Sequence, residues 1–239
     1  MDLSKVMIVV PCLDESATIA GVVRESRRYV ATVLVVDDGS SDNTADLARG
    51  AGATVIRHAT PRGKGLALQA GWEWARQHNF TAAITMDGDG QHACTDIPCF
   101  LENADAASLL LGNRMGDPVG MPWLRRSVNR WMSRRLSRLT GVDIPDSQCG
   151  FRLIHLEHLR ALELTASRFE IESDLLVGII ALGLRVKSVP IRVVYGSERS
   201  KINPLRDTVR WFRWYLKARR RFQNASVRSG GIPQPELRS

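Results

Sequence analysis

Two aspartates one residue apart follow a short apolar run in Ile84-Thr85-Met86-Asp87-Gly88-Asp89-Gly90-Gln91-His92, the segment of this 239-residue chain richest in chemistry. In an extended chain, alternation points Asp87 and Asp89 to the same side, and the glycines let the backbone pass close to a ligand. Hard oxygen donors of this kind suit Mg²⁺ or Mn²⁺, completed by water and a substrate diphosphate. The competing reading is an acidic turn whose aspartates cap the next helix. A second carboxylate pair stands in Val35-Val36-Asp37-Asp38-Gly39-Ser40-Ser41-Asp42-Asn43-Thr44. Here a carboxylate can accept from a base N–H or a ribose hydroxyl, while Ser41 or Asp42 caps the helix that follows. Capping explains Ser41, Asp42 and Thr44 but does not need Asp37 and Asp38 as a pair. Gly63-Lys64-Gly65 is not a P-loop, because no GxxxxGK[ST] precedes a helix. His92, Cys94 and Cys99 raise the idea of zinc, but no second CxxC or HxxxH pair completes four ligands.

These motifs need a scaffold that sets them along one edge. Residues 5–10 form a β-branched apolar run ended by Pro11, which predicts a buried parallel strand. Residues 32–36, 53–57, 82–86 and 108–111 repeat the pattern, with helical periodicity between them. The alternation predicts an α/β fold, a mostly parallel central sheet flanked by helices on both faces. Both carboxylate pairs fall just after strand ends, where open α/β sheets bind ligands. Beyond residue 115 the alternation gives way to a Gly/Pro connection, a basic helix over about 123–140, the run DSQCGFRLI, more helix to Leu182, and a strand near 186–194. Asn203-Pro204 predicts an N-cap and first helical residue opening a helix to about Phe222. The expected division is a catalytic domain over 1–203, a basic aromatic helix over 204–222, and a Gly/Pro/Ser-rich disordered tail over 223–239.

Composition excludes several classes of protein. Hydrophobic residues at 44% and charged residues at 24% are globular values, which rules out collagen-like, low-complexity and wholly disordered chains. Four cysteines are too few for a disulfide scaffold, and the N-terminal residues lack a secretory h-region, so a cytoplasmic protein is expected. The longest apolar run, residues 175–184, is half of the ~20 residues a spanning helix needs. The net charge of +8 is unevenly distributed. Arg114, Arg125, Arg126, Arg130, Arg134, Arg135 and Arg138 face only Asp117 within residues 114–138. Within residues 199–222, nine basic residues face only Asp207. Such stretches can bind an anionic partner or form solvated faces. A nucleic-acid-binding module would use the arginines, but it leaves both carboxylate motifs unexplained, and carboxylates on the sheet edge repel a polyanion. No nucleic-acid partner is expected.

Val9-Val10-Pro11-Cys12-Leu13-Asp14-Glu15, VVDDGSSDNT, Arg62-Gly63-Lys64-Gly65, DGDGQH and DSQCGFR stand in the order and spacing of the family 2 glycosyltransferases of the GT-A fold. Over residues 5–203 the chain most resembles the dolichyl-phosphate mannose synthases and bacterial polyprenyl-phosphate glycosyltransferases. The resemblance implies a nucleotide-sugar donor pocket lined by Pro11, Leu13, Glu15 and Asp38, with Asp38 meeting the base and Lys64 near the donor. It implies that Asp87, Asp89 and Gln91 form the metal and diphosphate site for Mg²⁺ or Mn²⁺, with Asp89 and Gln91 as direct ligands. Asp89 and Asp146 are the implied catalytic residues, Asp146 as sugar-positioning group or base, supported by Arg152. Arg114, Arg125, Asn129 and Lys201 are implied to hold an acceptor phosphate, which arginine suits through bidentate bonds. Two positions depart from the pattern. Asn129 stands where the mannose synthases often carry Ser, and Arg199 is adjacent to the Ser200-Lys201 pair instead of several residues upstream.

The implied activity is metal-dependent, inverting transfer of a hexose from GDP-mannose or UDP-glucose to a polyprenyl or dolichyl phosphate at the cytosolic membrane face. The alternative keeps the donor and uses another acceptor, such as a lipid intermediate or polysaccharide. Leu205, Val209, Phe212 and Leu216 form one helical stripe, widened by Trp211, Trp214 and Tyr215, with cations elsewhere. That composition suits a helix in a membrane interface, and equally one packed on its own sheet. An enzyme on lipid with no span must reach the bilayer peripherally or borrow an anchor from a partner protein.

Overall fold

The computed structural model describes residues 1–116, 121–194 and 204–228, without the side chains of 204–206 and 223–228. Its strands are β1 (Val6–Cys12), β2 (Val33–Asp37), β3 (Thr54–Arg57), β4 (Ala82–Thr85), β5 (Leu109–Asn113), β6 (Arg152–His155) and β7 (Val186–Pro190). The helices are α1 (Ile19–Ser26), α2 (Thr44–Gly50), α3 (Lys64–Gln77), α4 (Ile97–Glu102), α5 (Trp123–Thr140), α6 (Ile171–Ala181) and α7 (Pro204–Arg228). The strands form one sheet in the order β3-β2-β1-β4-β6-β5-β7. Neighbours pair in parallel except at β6, which runs antiparallel to both β4 and β5.

Alternation along the strands builds two cores. Met7, Val9, Leu34, Val36, Ala83, Leu109 and Ile154 meet α3, α5, α6 and α7 on one face. Ile8, Val10, Val33, Val35, Ile84, Leu110 and Leu153 meet α1, α2 and α4 on the other. A one-residue slip would exchange the two sets, so burial on both faces fixes the register.

The expected mostly parallel, helix-flanked sheet is present, with particular differences. Strand β6 lies inside the run DSQCGFRLI and had no strand expectation, because Arg152 opens it and breaks the apolar pattern. The last strand stops at Pro190 instead of Val194, and Val193 then bridges His92. Helix α7 continues beyond Phe222 to Arg228, into the segment expected as a tail, because no glycine or proline intervenes before Gly230. Asn203 and residues 229–239 lie outside the described residues.

The expected single apolar stripe of α7 also divides. Trp211, Trp214, Tyr215, Ala218 and Phe222 are buried in the core, whereas Val209, Phe212 and Leu216 are exposed. Buried indoles need acceptors. Trp211 Nε1 donates to Ser173 Oγ at 2.9 Å, and Trp214 Nε1 donates to Asp174 Oδ1 at 3.1 Å. Asp174 is the hub of this packing. Its Oδ1 also accepts from Arg221 at 2.9 Å, and its Oδ2 accepts the Thr165 and Ala166 main-chain N–H groups at 2.6 and 3.0 Å. Asp174→Ala is expected to cost roughly 3–5 kcal/mol, since it strips a buried network of its acceptor. Urea unfolding checks this as a lowered midpoint.

Candidate active site

The motifs gather beyond the C-terminal ends of β1, β2 and β4, and cross-loop hydrogen bonds hold them there. Ser40 Oγ accepts from Asp14 N at 2.9 Å, Thr44 Oγ1 from Glu15 N at 2.8 Å, and Asp42 Oδ2 from Ser16 N at 3.1 Å. Asp14, with φ of 53°, accepts in return from Ser41 N at 2.7 Å. The capping reading is thereby corrected for Ser41 but holds for Asp42, whose Oδ1 accepts from Thr44 N at 3.0 Å at the start of α2. The N-cap position of α2 is Asn43, with no side-chain cap, and Ser41 and Asp42 bind the β1–α1 loop that carries Leu13 and Glu15. Burial opposes ionisation of Asp42, but the Thr44 and Ser16 donors outweigh it and lower the pKa to about 2.

Asp37 and Asp38 are both buried, with different duties. Asp37 accepts from Ser40 N at 3.0 Å and lies 3.1 Å from Arg57 Nε. Asp38 accepts from the Arg62 and Gly63 N–H groups at 2.9 and 2.7 Å and meets His58 Nδ1 at 2.7 Å. Both of its oxygens therefore hold the loop that delivers Lys64.

The DGDGQH segment leaves β4 in a turn, with Gly90 at a φ of 73°, so the argument from extended-strand alternation does not apply to Asp87 and Asp89. Asp89 Oδ1 accepts from Gln91 N at 3.0 Å, and all three metal-site candidates, Asp87, Asp89 and Gln91, are half-buried. Lys64 Nζ lies 2.6 Å from Asp87 Oδ1 and 2.6 Å from Glu172 Oε1. Burial lowers the pKa of this ammonium, but the two carboxylates outweigh burial and raise it above the ordinary lysine value. Asp87, pushed up by burial, is held well below the carboxylate range by Lys64. His92 is lowered to about 4 by burial and is neutral at pH 7; its Nδ1 accepts from Asp87 N at 3.1 Å.

The DSQCGFR run closes the site from the other side. A Cβ on Gly150 would stand 2.8 Å from Asp87 Oδ1 and 3.0 Å from Lys64 Nζ, so any larger residue here would push on the Asp87–Lys64 pair of the DGDGQH side. Thr85 Oγ1 donates to Gly150 O at 2.7 Å. Arg152 is fully buried and bonds carbonyls rather than a carboxylate: Cys149 O and Ser147 O at 2.7 Å each, and Glu172 O. Arg114 and Asp146, assigned separately from the sequence, form a buried bidentate pair, Nε to Oδ2 at 2.7 Å and Nη2 to Oδ1 at 2.9 Å. Arg125 is half-buried and Asn129 buried on α5, and Lys201 lies outside the described residues.

Glu172 escaped the sequence reading. The signal was available: Glu170, Glu172 and Asp174 open an otherwise apolar helix, and carboxylates in a buried segment need partners. The half-buried oxygen donors Asp87, Asp89 and Gln91, on a turn where a Gly88 Cβ would collide with Cys12 Sγ at 2.5 Å, fit a hard divalent cation. Among the described residues no three His, Cys, Asp or Glu side chains form a ready-made cage, so such a cation takes further ligands from water and substrate. Cys94 lies against Ser26 and Val22, and His92 is bonded to Asp87 N.

Burial raises the Asp146 pKa, but Arg114 more than reverses this and holds it below 3.8. Its stabilising contribution is therefore complete above pH 3.8 and is lost as pH falls through the lowered value. Asp146→Ala is expected to destabilise the protein by roughly 3–5 kcal/mol at neutral pH. Urea unfolding across a pH series should show that difference narrowing only in acid.

Residues 7–162 match the family described as Glycosyl transferase family 2. Glycosyltransferase AglJ of Haloferax volcanii is 32% identical over 208 residues, covering 84% of this chain and 68% of that protein. Undecaprenyl-phosphate mannosyltransferase of Micrococcus luteus is 29% identical over 204 residues, covering 80% and 84%. The structure of glucosyl-3-phosphoglycerate synthase from Mycobacterium tuberculosis with Mn²⁺ and UDP-glucose aligns with a TM-score of 0.69 at 21% identity, covering 90% of this chain and 78% of that one. That likeness identifies the fold as GT-A. With the family match spanning most of the sheet and both carboxylate motifs, the chain belongs to glycosyl transferase family 2 and is a glycosyltransferase.

Proposed function

We propose that this enzyme transfers a hexose, with inversion and with Mg²⁺ or Mn²⁺, from a nucleoside-diphosphate donor to a polyprenyl phosphate at the cytosolic face of a membrane. The observation that carries the reading is the meeting of the donor-side and acceptor-side motifs, where Gly150 of DSQCGFR abuts Asp87 of DGDGQH and Lys64. The named activity of the Micrococcus relative, a mannosyltransferase to undecaprenyl phosphate, supports the acceptor class.

Pro11, Leu13, Glu15 and Asp38 hold the nucleotide, and Lys64 lies near its diphosphate. Asp87, Asp89 and Gln91 hold the divalent cation, which when bound neutralises charge developing on the diphosphate leaving group. The acceptor phosphate is already anionic and needs no general base. Asp146, ionised and paired with Arg114, orients that guanidinium toward the acceptor phosphate, with Arg125, Asn129 and Lys201 completing the phosphate site. Asp89→Ala is expected to abolish sugar transfer while the unfolding transition stays within ~0.5 kcal/mol of wild type, as for a substitution outside the core. A labelled-sugar assay with polyprenyl phosphate and Mn²⁺ measures the first effect. Near-normal turnover would sink the metal assignment, and donor turnover without lipid-linked product would favour a different acceptor.

The membrane contact rests on a different face of α7 from the one its aromatic residues suggest. Val209, Phe212 and Leu216 are exposed beside Arg213, Lys217 and Arg220, and Trp123 and Leu124 are exposed at the start of α5. No helix among the described residues is long and apolar enough to cross a membrane. Apolar side chains among cations suit an anionic bilayer surface. The combined variant Val209→Glu, Phe212→Glu, Leu216→Glu is expected to lose most co-sedimentation with anionic phospholipid vesicles while keeping donor hydrolysis. Unchanged sedimentation would leave an anchoring partner protein as the route to the bilayer.

A further inference from the structure

Lys64 is shared evenly between two carboxylates, and only one of them belongs to the motif proposed to hold the cation. Asp87 and Glu172 each lie 2.6 Å from Nζ. Glu172 opens the α6 segment, is itself buried, and leaves Oε2 without a hydrogen-bond partner among the described residues. An unsatisfied oxygen on a buried carboxylate is costly, and a purely structural glutamate would bond both oxygens. A nearby guanidinium does not relieve it, because Arg152 bonds the Glu172 main-chain carbonyl. Glu172 therefore sits in the protein chiefly as a partner for Lys64.

The consequence concerns what happens at Asp87. A divalent cation and the Lys64 ammonium both seek its carboxylate, so the lysine acts as an internal competitor for the cation. A second carboxylate at the same distance offers the ammonium somewhere to remain once Asp87 is taken. We propose that Glu172 is a positioning residue that acts through Lys64: it draws the ammonium off Asp87 when the divalent cation binds and retains it beside the diphosphate. This rests on the assignment of Asp87 to the cation site. It goes beyond that assignment by making a residue outside the DGDGQH motif set the affinity for metal.

The test is Mn²⁺ binding to the full chain without nucleotide, followed by the electron paramagnetic resonance signal of free Mn²⁺. Glu172→Gln should weaken binding roughly 10- to 100-fold, the range found when a partner of a metal ligand is removed. Lys64→Gln, which deletes the competitor, should bind Mn²⁺ more tightly than wild type. In the Lys64→Gln background, Glu172→Gln should change the affinity by no more than about twofold, because a residue acting only through Lys64 has nothing left to act on. An equal loss in both backgrounds would make Glu172 a direct ligand or field source and overturn the inference. So would wild-type affinity in Glu172→Gln. Wild-type protein that binds no Mn²⁺ would remove the metal assignment and this inference together, whereas binding with unchanged variants removes the inference alone. Should Glu172→Gln fail to fold, Glu172→Asp, which withdraws the carboxylate by one methylene, supplies the same comparison with a smaller loss.

Discussion

A buried guanidinium holds the two halves of the site together. Arg152 is 2% exposed, and it donates to the carbonyls of Ser147, Cys149 and Glu172. Burying such a charge is expensive, and hydrogen bonds from a charged donor, about 1.5–3 kcal/mol each, offset the cost only when several are made at once. Three carbonyls from two separate segments must therefore converge on it. That requirement shapes the turn carrying Asp146 and Gly150 and brings in the start of α6 with Glu172.

The strand that carries Arg152 explains why this convergence falls between the DGDGQH motif and Arg114. β6 is inserted antiparallel between β4 and β5, so it returns along the sheet beside the ends of both. On one side β4 leads into Asp87 and Asp89; on the other β5 leads to Arg114. The turn before β6 thus passes close to both. Gly150 has no Cβ to strike Asp87, and Asp146 grips Arg114 through two bonds. A parallel strand in that place would have put the turn at the opposite edge of the sheet.

Much of this was legible in the chain. β1 to β5, the basic helix over Trp123–Thr140 and the grouping of motifs at one sheet edge follow from apolar periodicity and turn residues, which act locally. What escaped depends on distant partners. β6 can begin with a buried charge because the carbonyl of Glu172, twenty residues on, joins those of Ser147 and Cys149 around Arg152. Glu172 and Asp174 read as polar interruptions of an apolar helix until Lys64, Trp214 and Arg221 stand beside them. Ser41 looks like a cap because its partner, Asp14, lies on another loop, and Asp42 caps with one oxygen while the other reaches Ser16 on that same distant loop. The α7 stripe left two readings open for a related reason. Periodicity locates an apolar face, but a helix with two such faces gives no local sign of which one the protein covers.

The two faces of α7 bear on the active site through contacts that can be followed atom by atom. Its inner face gives Trp214 and Arg221 to Asp174 Oδ1, while Oδ2 of the same carboxylate fixes the N–H groups of Thr165 and Ala166. The next residue, Ser167, accepts from Gly65 N at 3.0 Å and Leu66 N at 3.3 Å, the first turn of α3 that presents Lys64. One side of α7 thus anchors the loop against which the lysine is set, and the other is exposed with apolar residues among cations. A net charge of +8 conceals this arrangement. Basic residues crowd α5 and α7, carboxylates crowd the sheet edge, and Lys64 and Arg114 are the cations carried inward to meet Asp87, Glu172 and Asp146. Pairing Asp87, Glu172 and Asp146 with fixed cations offsets the cost of crowding buried carboxylates at one edge of the sheet.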